Sequence, residues 1–93
     1  MAGLREIALS IAGVIRASPA PEPLPVTLKG ETLEGGAELV FAIVSECLDA
    51  EIPLRRIEVD PALYRFILAL PAQPAIPIAG NPELAGELRF FRR

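Results

Sequence analysis

Between Leu4 and Ile15 the apolar residues Leu4, Ile7, Ala8, Ile11, Ala12, Val14 and Ile15 alternate with Arg5, Glu6, Ser10 and Gly13. Spacing of three and four residues gathers the first set on one side of a helix, so the chain is expected to begin with an amphipathic helix. Gly13 weakens that helix by about 1 kcal/mol relative to alanine, so it needs packing against its own domain or a neighbouring subunit. A stronger stripe runs through Val40, Ile43, Val44, Cys47 and Leu48, widened by Leu39 and Phe41, with Glu38, Ser45, Glu46, Asp49 and Glu51 turned outward. It predicts the main core helix over Ala37 to Ala50, entered through Gly35 and Gly36 and closed by Pro53.

Leu54, Ile57 and Val59 then read as a short strand whose period of two is imperfect at Arg56. Asp60 followed by Pro61 is an N-cap and first-turn pair, and it predicts a third helix. That helix packs Leu63, Phe66, Ile67 and Leu70, carries Tyr64 and Arg65 near its edge, and ends at Pro71. Ile76 and Ile78 suggest an edge strand, because Pro77 has no N–H to give to a ladder. Gly80, Asn81 and Pro82 form a turn, and Leu88, Phe90 and Phe91 a final strand. Val26, Leu28 and Leu33 fit either a short strand or an irregular turn around Gly30.

Pro19, Pro21, Pro23 and Pro25 alternate with other residues, which predicts an extended connector spanning roughly 20 Å at about 3.1 Å per residue. It either carries the first helix to a neighbour or straps it across the same domain. The expected architecture is therefore a small single α+β domain: two packed amphipathic helices on a short three-stranded sheet, with an amino-terminal helix on a proline-rich connector. The segments are residues 1–18 for the helix, 19–25 for the connector and 26–93 for the compact body.

Composition adds one point to this picture. In 93 residues, 52% apolar and 23% charged, a single small core cannot hide every aliphatic side chain, and part of the apolar surface is expected to meet a partner. The charge of −3 and pI of 4.9 give no long-range attraction to nucleic acid or anionic lipid. Basic spots remain at Arg55 and Arg56 and at Arg89, Arg92 and Arg93. Uncharged stretches run from Ile7 to Ile15 and from Phe66 up to Glu83; the first is too short to span a bilayer and the second is broken by prolines. The amino-terminal run is a poor signal peptide, since Glu6 offsets Arg5 and Arg16 follows it. A lone cysteine, Cys47, forms no intramolecular disulfide, and a reducing cytoplasm is the expected compartment.

Candidate chemistry is sparse. Without histidine there is no imidazole base, Ser-His or Cys-His pair, or histidine metal ligand. Glu31 with Glu34, Glu46 with Asp49, and Glu58 with Asp60 are the nearest carboxylate pairs, and turn, helix-surface or capping duties explain each of them. Cys47 lies on an apolar stripe beside Glu46, which opposes thiolate formation. Lys29, Gly30, Gly35 and Gly36 lack the order of a phosphate-binding loop. No catalytic residue, metal ligand or cofactor is assigned.

The sequence is therefore expected to encode a non-catalytic structural or adaptor subunit that assembles with copies of itself or with other proteins and does not enter a membrane. The interface candidates are Leu4, Ile7, Ile11, Tyr64, Arg65, Arg89, Phe90, Phe91 and Arg92, with Arg56, Arg65, Arg89 and Arg92 able to fix orientation by pairing with carboxylates. Two alternatives stand beside it. One is an accessory nucleic-acid-binding protein using the tail from Arg89 to Arg93, in which a strand sends Phe90 and Phe91 to opposite faces and leaves at least one exposed. The other is a small enzyme in which two acidic residues converge in a pocket.

Overall fold

The structure, a computed structural model, describes residues 3–18, 23–27 and 32–93. These form α1 (Leu4–Ala17), β1 (Leu24–Thr27), α2 (Leu33–Asp49), β2 (Leu54–Val59), α3 (Pro61–Leu68), β3 (Ile78–Gly80) and β4 (Glu87–Arg92). The class is α+β. The strands make one sheet of four, in the order β1-β4-β2-β3. Three strands were expected, and the fourth is β1: Leu24 pairs with Phe90 and Val26 with Leu88, antiparallel. The end of the proline-rich stretch thus belongs to the sheet. Pro25 is accommodated because β1 is an edge strand, where a missing N–H is tolerated. Residues 19–22 of the expected connector, and Leu28 with its neighbours through Glu31, lie outside the described residues.

Each helix begins for a local reason. In α2, the side-chain oxygen of Thr32 accepts from the Gly35 N–H at 3.0 Å, so the helix starts at Leu33, a turn before the expected Ala37. Gly35 and Gly36 stand inside its first turn instead of before it. The Asp60 carboxylate accepts from the Ala62 N–H at 2.7 Å and Pro61 occupies the first turn of α3, as the sequence predicts.

The exit from α2 is tighter than Pro53 alone implies. Glu51 takes a left-handed backbone (φ 56°). That conformation lets the Ile52 N–H reach back to the Cys47 carbonyl at 2.8 Å and the Glu51 N–H to that of Leu48 at 3.2 Å. These are the two bonds of a Schellman motif, closed here by a glutamate where glycine is the usual residue.

The core is a single cluster in which Ala8, Ala12 and Ile15 of α1, Val40, Ile43 and Cys47 of α2, Leu63 and Ile67 of α3, and Leu54, Ile57, Val59, Leu88 and Phe90 of the sheet are buried together. Leu48, expected in the α2 stripe, is exposed instead. The helices form one layer, with α1 and α3 both packed against α2, and the opposite face of the sheet carries no helix among the described residues.

The imperfect period at Arg56 is resolved by a β-bulge. Leu54 faces Arg92 and Arg56 faces Phe91, so Arg55 is one residue too many, and Leu54, Ile57 and Val59 all reach the core side. β3 runs parallel to β2 at the other edge; it starts at Ile78 and takes in Gly80, expected in the turn, while Ile76 and Pro77, expected in the strand, stand before it.

Replacing Glu51 by glycine removes the Cβ that the left-handed conformation penalises. The Glu51→Gly variant is expected to gain about 1 kcal/mol of stability, and hence several degrees in Tm. Urea and thermal unfolding followed by circular dichroism check this; an unchanged or lower midpoint contradicts the left-handed cap.

Candidate functional site

The residues expected at an interface separate into groups with different duties. Leu4, Ile7 and Ile11 lie along one flank of α1, and Val14 continues the line. Leu4, Ile7 and Val14 are 42%, 41% and 51% exposed, and Ile11 is partly buried against the core. The face that α1 turns inward is made by Ala8, Ala12 and Ile15. Two of these three are alanines, so Ile15 is the one large aliphatic side chain that α1 buries fully, and Leu4, Ile7 and Val14 remain on the outer flank.

Arg92, offered as a contact to another molecule, is used within the chain. Its Nη1 donates to the carbonyl oxygens of Arg16 and Ser18, both at 2.9 Å. These carbonyls at the end of α1 have no partner within the helix, so the guanidinium caps the helix and meets the negative end of its dipole. The Ser18 hydroxyl donates to Val14 O at 2.8 Å and completes the stop. A second tie is the Arg5–Glu46 ion pair at 3.5 Å, whose Arg5 side chain is largely exposed and adds little. α1 is thus docked on its own domain by a latch from the last strand.

Phe90 and Phe91 do go to opposite faces of the sheet, but neither is left exposed. Phe90 is 1% exposed in the core and Phe91 8% exposed on the open face. The cover over Phe91 is cationic: the Arg56 guanidinium stands 4.2 Å and that of Arg55 5.8 Å from the ring centroid. Arg56 can do this because the bulge sets it directly across from Phe91. It also holds Glu58 at 2.9 Å, and Asn81 Nδ2 donates to the other oxygen of Glu58 at 2.9 Å. Arg89, next along β4, reaches Glu87 at 3.6 Å and lies across from Glu58. The open face therefore carries three arginines, of which Arg56 and Arg89 are answered by Glu58 and Glu87 and Arg55 stands exposed over the Phe91 ring, with no uncovered ring on which a base would stack.

Tyr64 and Arg65 are on α3, near the other edge of the sheet. Tyr64 packs on Gly80 of β3, where an added Cβ would come within 3.1 Å of its Cδ2, so a larger residue there would displace the ring by a few tenths of an ångström. Arg65 is exposed. Of the carboxylate pairs, Asp60 is occupied in capping α3 and Glu58 is bound as described. Glu46 and Asp49 line an open groove of about 280 Å³ with Leu9, Ala12, Gly13 and Arg16. Glu31 lies outside the described residues.

The chain matches no protein-family model, no curated protein and no solved structure. The site must be read from its own geometry.

That geometry brings together Leu4, Ile7 and Ile11, and separates them from Tyr64 and Arg65 and from the Arg89–Phe91 face. Sequence reasoning placed Val14 on the apolar side of α1 without assigning it to the flank. The signal was available in the spacing of Leu4, Ile7, Ile11 and Val14, but it was merged with Ala8, Ala12 and Ile15 into one broad stripe. Among the described residues no cluster of three or more acidic, cysteine or histidine side chains is arranged to hold a metal. No helix among the described residues is long and apolar enough to cross a membrane.

The Cys47 thiol is buried, as the sequence predicts. Burial, reinforced by Glu46, pushes its pKa up from 9.0 to about 11. The folded state then holds the proton that the unfolded state has lost, so stability falls as pH rises through the window from about 9 to about 11. The loss is at most about 3 kcal/mol, and Cys47→Ala is expected to abolish this alkaline limb in urea titrations across that range. Removing the latch has a different signature. Arg92→Ala is expected to cost about 2 kcal/mol and to speed amide exchange across α1 more than in β2. Uniform exchange acceleration would mean that the latch does not hold α1 in particular.

Proposed function

We propose that this chain is a non-catalytic assembly module, a structural or adaptor subunit whose contact surface is the outer flank of α1. One observation carries the reading: a helix already docked in cis through alanines and an arginine latch keeps a row of large aliphatic side chains in solvent. Among the described residues, Leu4, Ile7 and Val14 stand exposed along one flank of α1 with Ile11 partly buried between them, whereas Leu9 lies on the other side of the helix by the groove, and Leu33, Leu48 and Leu68 are single exposed residues on α2 and α3. Isolated exposed leucines are ordinary on any protein, whereas a contiguous row on one helix is the pattern of a contact surface. The charged open face supports the same reading by its lack of an alternative use. Arg56 and Arg89 are balanced there by Glu58 and Glu87, and the aromatic ring is covered by Arg55 and Arg56.

Substitution on the flank is the appropriate probe, since deleting the chain through Pro25 would cut β1. The full-length chain and an Ile7→Glu/Val14→Glu variant are compared by size-exclusion chromatography of extracts from cells that make the protein, chemically cross-linked before lysis so that a weak contact is retained. Both changed positions are exposed, so the variant is expected to keep the wild-type circular dichroism and Tm within a few degrees. The wild-type chain is expected in a complex of defined stoichiometry and the variant as a monomer. A wild-type monomer in the extract, or a complex that survives the substitutions, overturns the proposal.

A further inference from the structure

The exposed row on α1 is symmetric in a way that specifies its occupant. Leu4, Ile7, Ile11 and Val14 follow the alternating three-and-four spacing of the seam in a helix pair. If two copies of α1 run antiparallel about an axis near Leu9, Leu4 of one copy meets Val14 of the other and Ile7 meets Ile11. Each apolar position finds an apolar position, and the same operation repeats the contact on the far side of the axis. The outer border of the row obeys the same symmetry. It is formed by Gly3, Ser10 and Ala17, all exposed, and with the axis at residue 9 the two Ser10 residues lie side by side, offset by two residues or about 3 Å along the helices, as do Gly3 and Ala17. Small residues at these places let the backbones approach closely.

Electrostatics favour the same occupant. The row and its small border contain no charged residue. Arg5 is engaged with Glu46 across the contact with α2, Arg16 lines the groove on that same side, and Glu6 lies beyond the small-residue border. A copy therefore brings no like charge into the contact, while an acidic or basic partner finds nothing to pair with. We infer that the outer flank of α1 is an isologous contact between two copies of this chain, formed by antiparallel pairing of the two α1 helices about an axis at the level of residue 9. This deepens the assembly reading given above and rests on it.

The contact is small. A helix of 14 residues at about 1.5 Å per residue presents fewer large side chains than an interface of about 800 Å² per partner requires. The pair is accordingly concentration-dependent, of the transient class. The copies each carry −3, so salt, which screens that repulsion, strengthens the pairing instead of weakening it.

The test uses the purified full-length chain. Light scattering is expected to show a mass that climbs from the 10.0 kDa monomer toward twice that value with concentration. The rise is expected to begin at lower concentration in high salt and to be lost in Ile7→Glu/Val14→Glu. In a separate variant, Ser10→Cys, oxidation with diamide is expected to yield a disulfide dimer. Gly13→Cys, on another side of the helix with open space around its Cβ, is expected to remain monomeric, and the buried Cys47 is a shared background. A monomer at every concentration and salt with no Ser10→Cys dimer overturns the inference, as does cross-linking of Gly13→Cys at the same rate. If the purified chain is monomeric while the complex in cell extracts still depends on Ile7 and Val14, the second copy is excluded and the assembly reading stands with a different protein as partner.

Discussion

Insertion of the last strand between the first and the second is the constraint on which the rest of the structure depends. β4 pairs with β1 on one side and β2 on the other, so residues 87–92 must arrive before the sheet has a centre. Its side chains then serve three separate layers. Leu88 and Phe90 fill the core beneath the helices, Phe91 is sealed on the opposite face by Arg56, and Arg92 reaches up to the end of α1. A chain whose central strand comes last relies on contacts of long sequence separation, and loop-closure entropy makes these slow to form. The amino-terminal helix cannot be latched until the carboxyl-terminal strand is in place.

The bulge at Arg55 connects these layers. Without the extra residue, Leu54 and Arg56 would both lie on the same face as Glu58, opposite Ile57 and Val59, and Leu54 would leave the core. With it, Leu54 stays buried and Arg56 still falls opposite Phe91. One guanidinium then covers a ring and balances Glu58 at once, which is the arrangement that makes a helix-free sheet face compatible with water. The cation over the ring contributes about 0.5–1 kcal/mol at such a site and the exposed ion pairs less. Their larger effect is negative: they leave the open face without an apolar patch and concentrate the uncovered aliphatic surface on α1.

Elements governed by local rules were legible in the sequence. The cap and proline at Asp60 and Pro61 located the start of α3. The stripe through Val40, Ile43, Val44 and Cys47 located α2, while the edge strand β3 was placed only by Ile78, since Pro77 stands before it. What escaped depended on residues far apart in the chain. β1 is four residues long with a proline inside it, and only pairing with β4 makes it a strand. The bulge was visible merely as a broken period at Arg56, and the fates of Phe91 and Arg92 were fixed by partners more than thirty and seventy residues away. Thr32 was a missed local signal, since the glycines after it drew attention from a capping residue standing directly before the helix.

The two faces of α1 show why its apolar positions were harder to apportion. Periodicity records that a side chain is apolar and where it falls around the helix, but it does not say how near the helix axis lies to the body. When the inward positions are Ala8 and Ala12, the axis comes close and the buried arc is narrow. Leu4, Ile7 and Val14 are then carried past the edge of the contact although they belong to the same broad stripe. Had the inward residues been large, the helix would have stood further off and a wider arc would have been covered. The two alanines therefore leave most of the helix's large hydrophobic surface turned away from the domain that holds it, while Ile15, the one large inward side chain, anchors the end that Arg92 caps.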